Sequence, residues 1–273
     1  NEAYAIAIPI ILGMIALELA FDLWRKRGLY RLNDTFGTLG LLAGNVMVSL
    51  LVKGGIFGFY LFLYQFRLFD INQSLPLWAQ WVLTFVLIDL VFYIYHRISH
   101  RSRFLWAVHM NHHSSEQMNF VVAFRQAWFG PLSKIPFFIV LPLIGLDPTI
   151  TVVAGVASTL WGVIGHTQII KSMGPLEWVF NTPSHHRVHH GSNSEYIDKN
   201  YGNLLIIWDR LFGTFAKEQS PVVFGLVNDV KTFNPITITF MAWRSLFHDM
   251  RNASTTRECL AYFFGPPDWE PDS

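Results

Sequence analysis

Long apolar runs alternate with short polar segments through the first 165 residues of the chain. Three of these runs lie at residues 3–24, 36–66 and 77–95. Each is long enough, as a helix, to cross a hydrocarbon core of about 30 Å. A Lys-Gly-Gly sequence at 53–55 interrupts the second run, which could therefore form one long, tilted helix or two short helices.

Basic segments follow the first and the third of these runs. RKRGLYR occupies 25–31, and RSR occupies 101–103. Because lysine and arginine near the ends of spans mark the cytoplasmic side, we expect both segments to lie on that side. This arrangement requires the run at 36–66 to cross the membrane once, so one long helix is favoured.

Two further apolar runs, 131–146 and 148–165, are joined by GLDP. Asp147-Pro148 is a turn signal, so the pair predicts a helical hairpin that enters the bilayer and returns. His166 then emerges on the side where the other histidines lie. The amphipathic segment 104–127 is expected at the membrane interface or in a cytoplasmic cap.

From residue 171 onward the chain is largely polar, with short helical stretches. Pro183-Ser184 can begin a short helix and Gly191 can end it. LLIIWDRLFGTF, at 204–215, is amphipathic; packing under the cap is favoured over lying on the bilayer surface. The tail GPPDWEPDS, at 265–273, is expected to be disordered or interfacial. No dinucleotide fingerprint, P-loop or nucleophile elbow is present.

The composition agrees with an integral membrane protein. The chain is 52% hydrophobic and 14% charged, whereas soluble domains carry about 25% charged residues. Its formal net charge of +1 makes no case for a nucleic-acid partner. The first run has no basic segment before it and no cleavage site after it, so we expect a span and not a signal peptide. Cys259 is the only cysteine, which excludes a thiolate metal cluster.

The predicted fold is therefore an all-α membrane bundle of about four to five spans with a cytoplasmic histidine-rich cap. We expect a single domain over 1–273, with a catalytic region at about 80–215.

Histidines carry the candidate chemistry. His96 and His100 are four residues apart, and HxxHH occurs twice, beginning at His109 and at His186. Side chains three and four residues apart share a helix face, so these imidazoles point together. Imidazole is the commonest protein metal ligand and suits iron, zinc, copper and nickel. One metal ion cannot use so many ligands, but two ions could share them. His248 lies apart and is interpreted as an ordinary histidine.

Carboxylates must offset part of the positive charge of two ions that are bound by neutral imidazoles. The candidates near in sequence are Asp89, Glu116, Glu195, Asp198 and Asp209. Asp89 is two helical turns from His96 and could orient a ligand or form a helix-packing hydrogen bond. Glu18 and Asp22, near the end of the first run, are either functional or simply reach the interface.

The segments HRISH, HMNHH and HHRVHH resemble the histidine boxes of the fatty acid hydroxylase/sterol desaturase superfamily of membrane di-iron enzymes. The flanks, including HHSSEQMN, GPLEWVFNTPSHHRVHHGSN and IDKNYGNLLIIWDRLFGTF, look like those of its alkylglycerol monooxygenase branch. The resemblance covers roughly residues 80–215.

The resemblance implies a set of metal ligands in this chain. They are His96, His100, His109, His112, His113, His166, His186, His189 and His190. Family members have another histidine shortly after the position of His166, where TQII stands here. His185, a water molecule or an outer group could take that place.

The resemblance also implies two iron ions that use O2 and an external electron donor to hydroxylate a lipid C–H bond. In the ether-cleaving branch the product falls apart to a fatty aldehyde and a glycerol, and the animal members take electrons from a reduced pterin. A sterol, a fatty acyl lipid or a carotenoid is the alternative substrate. A zinc-dependent membrane hydrolase is the alternative from another class. A haem carrier or a metal transporter would need histidines or polar groups deep in the spans.

Overall fold

The computed structural model describes residues 2–228 and 230–271, and all the regular elements in them are helices. Four helices in this part of the chain are long and apolar enough to cross a membrane. They are α1 (Glu2–Arg25), α2 (Leu32–Tyr64), α4 (Leu77–Arg101) and α9 (Pro148–Gly165). In a bilayer a helix satisfies its own backbone hydrogen bonds, which explains why these apolar runs fold this way. The predicted all-α membrane fold is confirmed.

Helix α2 is continuous over 33 residues, which is about 50 Å at 1.5 Å per residue. It passes through Lys53, Gly54 and Gly55 without a break, so the expectation of one helix is confirmed. Leu50 and Leu51 on this helix are 81% and 78% exposed. Apolar side chains so exposed on a span are those that face lipid. The short helix α3 (Ile71–Ser74) lies in the connection to α4.

The predicted hairpin has one regular arm and one broken arm. The run at 131–146 forms three short helices and not one, because Pro136 and Pro142 lack the N–H that a continuing helix needs. Gly145 ends the broken arm with φ = +108°, and a side chain there would collide with the Phe69 carbonyl. The three helices are α6 (Gly130–Ser133), α7 (Ile135–Phe138) and α8 (Val140–Ile144).

The membrane core lies where α4 packs against α8 and α9. Ile88 of α4 contacts Leu141, Leu146 and Ala154 in one buried apolar cluster. Asp147 begins α9 by accepting hydrogen bonds from the two backbone N–H groups that follow Pro148. Such a cap fixes where the returning helix starts.

A cap of shorter helices covers the end of α4 that carries the histidines. Its helices are α5 (Arg103–His113), α10 (Pro183–His189), α11 (Ile207–Leu211), α12 (Pro235–Asn252) and α13 (Thr256–Phe264). Two 3₁₀ turns, Val122–Phe124 and Gly174–Trp178, lie between them. Helix α10 begins at Pro183, as expected, and Thr182 is its N-cap.

The C-terminal segments pack onto this cap. Ile206 is fully buried, so the core-packing interpretation of 204–215 is confirmed. The backbone N–H of Arg103 donates to the Gly265 carbonyl at 2.8 Å, and Trp269 packs edge-on against Tyr262. The described part of the tail, which was expected to be disordered or interfacial, thus contacts the cap at Gly265 and Trp269. Asp272 and Ser273 lie outside the described residues.

Candidate metal centre

Helices bring nine histidines together at one end of the bundle. His96 and His100 occupy the last two turns of α4, and α5 and α10 each carry one HxxHH sequence. His166 is the C-cap of α9. Helical spacing puts the imidazoles of each helix on one of its faces, and the packing of the helices turns these faces toward one another.

The nine imidazoles form two groups, and within each group the ligand nitrogens lie within 4.8 Å of one another. The first group is His96, His100, His109, His113 and His189. The second group is His112, His166, His186 and His190. Each HxxHH sequence contributes to both groups, because its i and i+4 histidines join one group and its i+3 histidine joins the other. The two groups adjoin, with the His113 and His190 rings stacked at 4.4 Å.

The second group is a ring of four facing nitrogen atoms. His112 Nε2 lies 3.2 Å from His166 Nε2 and 3.1 Å from His190 Nε2. His186 Nε2 lies 3.1 Å and 3.2 Å from the same two atoms. Nδ1 of His112 and of His166 contacts a backbone carbonyl, to which it must donate. Their Nε2 atoms therefore present bare lone pairs in the neutral form.

In the first group, too, backbone carbonyls occupy Nδ1 and leave Nε2 to face other ligand nitrogens. His96 Nδ1 donates to the Tyr201 carbonyl at 2.7 Å, and His189 Nδ1 donates to the Lys199 carbonyl at 2.9 Å. His96 Nε2 lies 2.9 Å from His109 Nε2. Nε2 of His100 and of His189 is buried without any hydrogen-bond partner. Buried polar atoms without partners are rare in proteins, and here they point at other ligand atoms.

These arrangements fit metal ions. Imidazole nitrogens bind zinc at about 2.0–2.1 Å, so two nitrogens on one ion stand about 2.9 Å apart at a right angle and about 3.3 Å apart at the tetrahedral angle. The nitrogen pairs in both groups have separations of 2.9–3.2 Å. Facing lone pairs repel one another unless a cation lies between them. Each of the two histidine groups could therefore hold a metal ion.

Burial keeps these imidazoles neutral and ready to bind. Burial, then the charge of neighbouring histidines, lowers the pKa of His109, His113 and His186 well below the ordinary value. Burial lowers the pKa of His166 and of His189 to about 4. A metal ligand must be unprotonated, so both groups can bind without competition from protons at neutral pH.

Backbone carbonyls, and not carboxylates, orient the ligands directly. The carbonyls of Lys199 and Tyr201 come from a loop in which Asp198 and Asn200 have φ of +60° and +55°. Residues other than glycine rarely adopt this left-handed conformation, and asparagine and aspartate adopt it most readily. Asp209 holds the same loop by accepting from the N–H groups of Tyr201 and Gly202 at 2.7 and 2.8 Å.

The candidate carboxylates differ in their distance from the histidine groups. Asp198 lies 3.8 Å from His100 Nδ1. Asp89 accepts from the N–H groups of Leu204 and Leu205, so it holds the segment that follows the Tyr201 loop. Two candidates lie at the surface: Glu116, which is paired with Arg31, and the exposed Glu195.

Two histidines stand outside both groups. His185 is buried, but its Nδ1 contacts the Phe180 carbonyl and its ring packs on Phe215. His248 is exposed on α12 and contacts Asn252.

A cavity of about 300 Å³ leads from the metal centre into the bundle. Five ligand histidines line one end of it, and Ile88, Phe138 and Gly155 line the other. Its walls are largely apolar, and its polar residues include Gln126, Lys134 and Asn203. The cavity can receive a lipid chain with one end at the metal centre.

Sequence reasoning missed two features of this site. The orienting carbonyls leave no mark in a sequence. Lys134 had a signal, because an ionisable residue in an apolar run is a functional candidate. Glu18 proves to be buried rather than interfacial; it accepts from the Phe120 N–H and the Tyr30 hydroxyl and also bonds Thr167. It thereby fastens α1 to the segment that follows His166.

Comparison with known proteins identifies relatives. The model of the fatty acid hydroxylase family matches residues 81–214. Alkylglycerol monooxygenase of Homo sapiens is 34% identical over 268 residues, which are 97% of this chain and 59% of that protein. The Caenorhabditis elegans alkylglycerol monooxygenase is 38% identical over 220 residues, covering 78% of this chain and 42% of that protein.

A lipid hydroxylase of another kind is also similar. Ornithine lipid hydroxylase OlsE of Rhizobium tropici is 33% identical over 147 residues, covering 54% of this chain and 44% of that protein. No solved structure matches the chain. The chain spans 59% of the length of the human relative.

Proposed function

Residues 81–214 form a domain of the fatty acid hydroxylase family, and from this we propose that the chain is a membrane di-iron monooxygenase that hydroxylates a lipid C–H bond with O2. The observation that carries the proposal is the pair of histidine groups at the head of an apolar cavity. We further propose that the chain forms one domain, because α12 packs on both α5 and α2.

Each histidine group would hold one iron ion. The first would be held by His96, His100, His109, His113 and His189, and the second by His112, His166, His186 and His190. Bound iron supplies the activation of O2 that breaks an unactivated C–H bond. A ligand set without thiolate and without carboxylate is compatible with iron, because imidazole suits iron as well as zinc.

The chain's own residues position the substrate and exclude water. Ile88 and Phe138 line the apolar end of the cavity, so a hydrocarbon chain there displaces water. The carbonyls of Tyr201 and Lys199 fix the ring orientations of His96 and His189. Ligands held this rigidly keep the metal centre in register with the cavity.

The substrate class that the relatives support is an ether lipid. Oxygen inserted at the carbon beside the ether oxygen yields a hemiacetal, which separates into a fatty aldehyde and a glycerol. Each turnover consumes O2 and two electrons, and the second oxygen atom leaves as water. An external donor must supply these electrons, and we propose a reduced pterin. The similarity to an ornithine lipid hydroxylase favours, as a second candidate, hydroxylation of another lipid with a stable alcohol product.

We also propose that the metal centre lies on the cytoplasmic side. Arg31, at the end of the basic segment 25–31, pairs with Glu116 of the cap at 2.8 Å. The basic segment and the cap are therefore neighbours, and the positive-inside rule assigns both to the cytoplasm.

The experiment combines elemental analysis of the detergent-purified protein with O2-dependent turnover of an alkylglycerol, with and without a reduced pterin. About two irons per chain and release of a fatty aldehyde are expected, in line with the two histidine groups. Two irons without aldehyde would support the second candidate and direct the assay to other lipids. Native zinc without O2 consumption would contradict the proposal and indicate a hydrolase.

A further inference from the structure

Lys134 is a charged side chain at membrane depth beside the metal centre. It joins α6 to α7 and lines the cavity that the ligand histidines also line. Its ammonium lies 5.6 Å from the centre of the Phe92 ring and 5.8 Å from that of Tyr95. The Phe92 ring also lies 5.2 Å from the His96 ring, so the ammonium and the metal centre share a neighbour.

No carboxylate of the described residues neutralises this ammonium. None of the ion pairs that they form includes Lys134, and neither aspartate nor glutamate occurs among the residues that line the cavity. Lys53 of α2, another cation, is near enough for its charge to act on this ammonium.

Such a charge needs a partner. An ammonium in an apolar setting is costly unless it is paired. Two aromatic rings offset only part of that cost, because cation–π attraction is weaker than an ion pair or a charged hydrogen bond. The ammonium has three N–H donors, and the cavity in front of it offers room for an acceptor from outside the chain.

We propose that Lys134 binds the oxygen-bearing end of the lipid in this cavity and thereby sets which C–H bond faces the metal centre. This inference rests on the proposed function and deepens it. The hydrocarbon chain lies toward Ile88 and Phe138, while hydroxyl, ether or phosphate oxygens accept hydrogen bonds from the ammonium. A plain hydrocarbon leaves the ammonium without a partner, so the cavity selects lipids with oxygen at one end.

Equilibrium binding to metal-loaded protein, without O2 and without reductant, tests the proposal. The probes are 1-O-hexadecylglycerol, its 3-phosphate and hexadecane, which lacks oxygen. Lys134→Met removes the charge and keeps an unbranched, flexible side chain that is one atom shorter. It is expected to weaken binding of hexadecylglycerol by about 10- to 100-fold, the range for a hydrogen bond to a charged group, with hexadecane unaffected.

The matched control is Lys53→Met, which removes the neighbouring lysine that does not line the cavity. It is expected to change binding of none of the three probes. Lys134→Arg keeps the charge and is expected to bind hexadecylglycerol more tightly than Lys134→Met does. A larger loss for the phosphate than for the glycerol identifies an anionic headgroup as the partner; an equal loss identifies the neutral oxygens.

Two results would overturn the proposal. One is unchanged hexadecylglycerol binding in Lys134→Met. The other is an equal loss of hexadecane binding, which would mean that the substitution merely disturbs packing. The metal content and the thermal midpoint of each variant show whether it is folded, and Lys134→Gln replaces Lys134→Met if the latter is not.

Turnover separates this proposal from the proposed function. If wild-type protein releases no aldehyde but its binding of the oxygenated probes depends on Lys134, ether cleavage fails and the headgroup site stands. If aldehyde is released, Lys134→Met is expected to raise KM more than it lowers kcat and to spread hydroxylation over neighbouring carbons. If Lys134→Met keeps the wild-type KM and still gives a single product, then Lys134 does not set which C–H bond faces the metal centre.

Discussion

At each ligand whose second nitrogen contacts a carbonyl, that contact decides which nitrogen can bind metal. In His96, His112, His166 and His189, Nδ1 donates to a backbone carbonyl and leaves the Nε2 lone pair free. The contact also raises the basicity of the imidazole as a ligand. Conversely, Nδ1 of His185 contacts the Phe180 carbonyl but its ring faces Phe215, so its free nitrogen meets no other ligand.

His185 and His189 therefore differ in their expected response to alanine. His189→Ala removes a ligand of the first group, and we expect loss of bound metal and a fall in turnover of at least about 100-fold, beyond that for an outer-shell change. His112→Ala does the same for the second group. His185→Ala is expected to retain the metal. Metal analysis and turnover of each membrane-inserted variant measure this.

The exposed His248→Ala is the control, with wild-type values expected. If His112→Ala and His189→Ala both turn over like wild type, the two groups are not the ligands. If His185→Ala loses metal while folded, the ligand set must be enlarged.

The buried histidines also predict how the metal-free protein responds to acid. The folded-state pKa of His166 and of His189 is about 4, below the ordinary 6.5, because burial disfavours the charged form. Between these values the unfolded chain binds more protons than the folded chain. The thermal midpoint of the metal-free protein in detergent is therefore expected to stay level above about pH 7 and to fall as the pH is lowered from 6.5 toward 4.

The metal-loaded protein serves as the comparison. Metal competes with protons for the same lone pairs, so its midpoint should begin to fall at a lower pH. A metal-free midpoint that is constant across this interval would mean that these imidazoles are not buried in the neutral form.

At the scale of elements, α5 and α10 each supply histidines to both groups. Neither group can therefore form unless both helices are in place. The i and i+4 positions of each HxxHH point to one group and the i+3 position to the other. A shift of either helix would disturb both sites together. The loop at 198–201 acts on α4 and α10 in the same way, because its carbonyls orient His96 and His189.

Asp209 is the residue through which this loop can be tested. Its carboxylate accepts from two backbone N–H groups of the loop and from the Thr214 hydroxyl. Asp209→Ala frees the Tyr201 carbonyl, and we expect metal affinity to fall by about 10- to 100-fold. Competition with a chelator measures the affinity. The control is Glu195→Gln, an exposed carboxylate in the preceding segment. Equal affinities in the two variants would show that the loop does not orient the ligands.

At the scale of the whole molecule, the sequence predicts the features that depend on local patterns along the chain. The long apolar helices depend on local hydropathy and the convergence of the histidines on the direction in which the spans run, and both are observed. The division of each HxxHH between two groups depends on how α5 faces α10, which spacing does not contain. Glu116 and Glu195 were near in sequence but lie at the surface. Prolines inside the run at 131–146 were visible, but its hydropathy favoured one helix.

The orientation of the molecule in the membrane can be tested with its single cysteine. Cys259 is partly exposed on α13, which packs beside α5 in the cap. If the cap is cytoplasmic, a membrane-impermeant maleimide should label Cys259 only after the cells are permeabilised.

The matched control moves the thiol to the other end of the bundle. In the double variant Cys259→Ser, Ser74→Cys, the thiol lies on the exposed last residue of α3, near the end of α4 away from the histidines. It should be labelled in intact cells. Because the two ends of α4 lie on opposite sides of the bilayer, the two thiols must respond in opposite ways. The reverse pattern would place the metal centre outside the cytoplasm, and the electron donor would then have to reach it from that side.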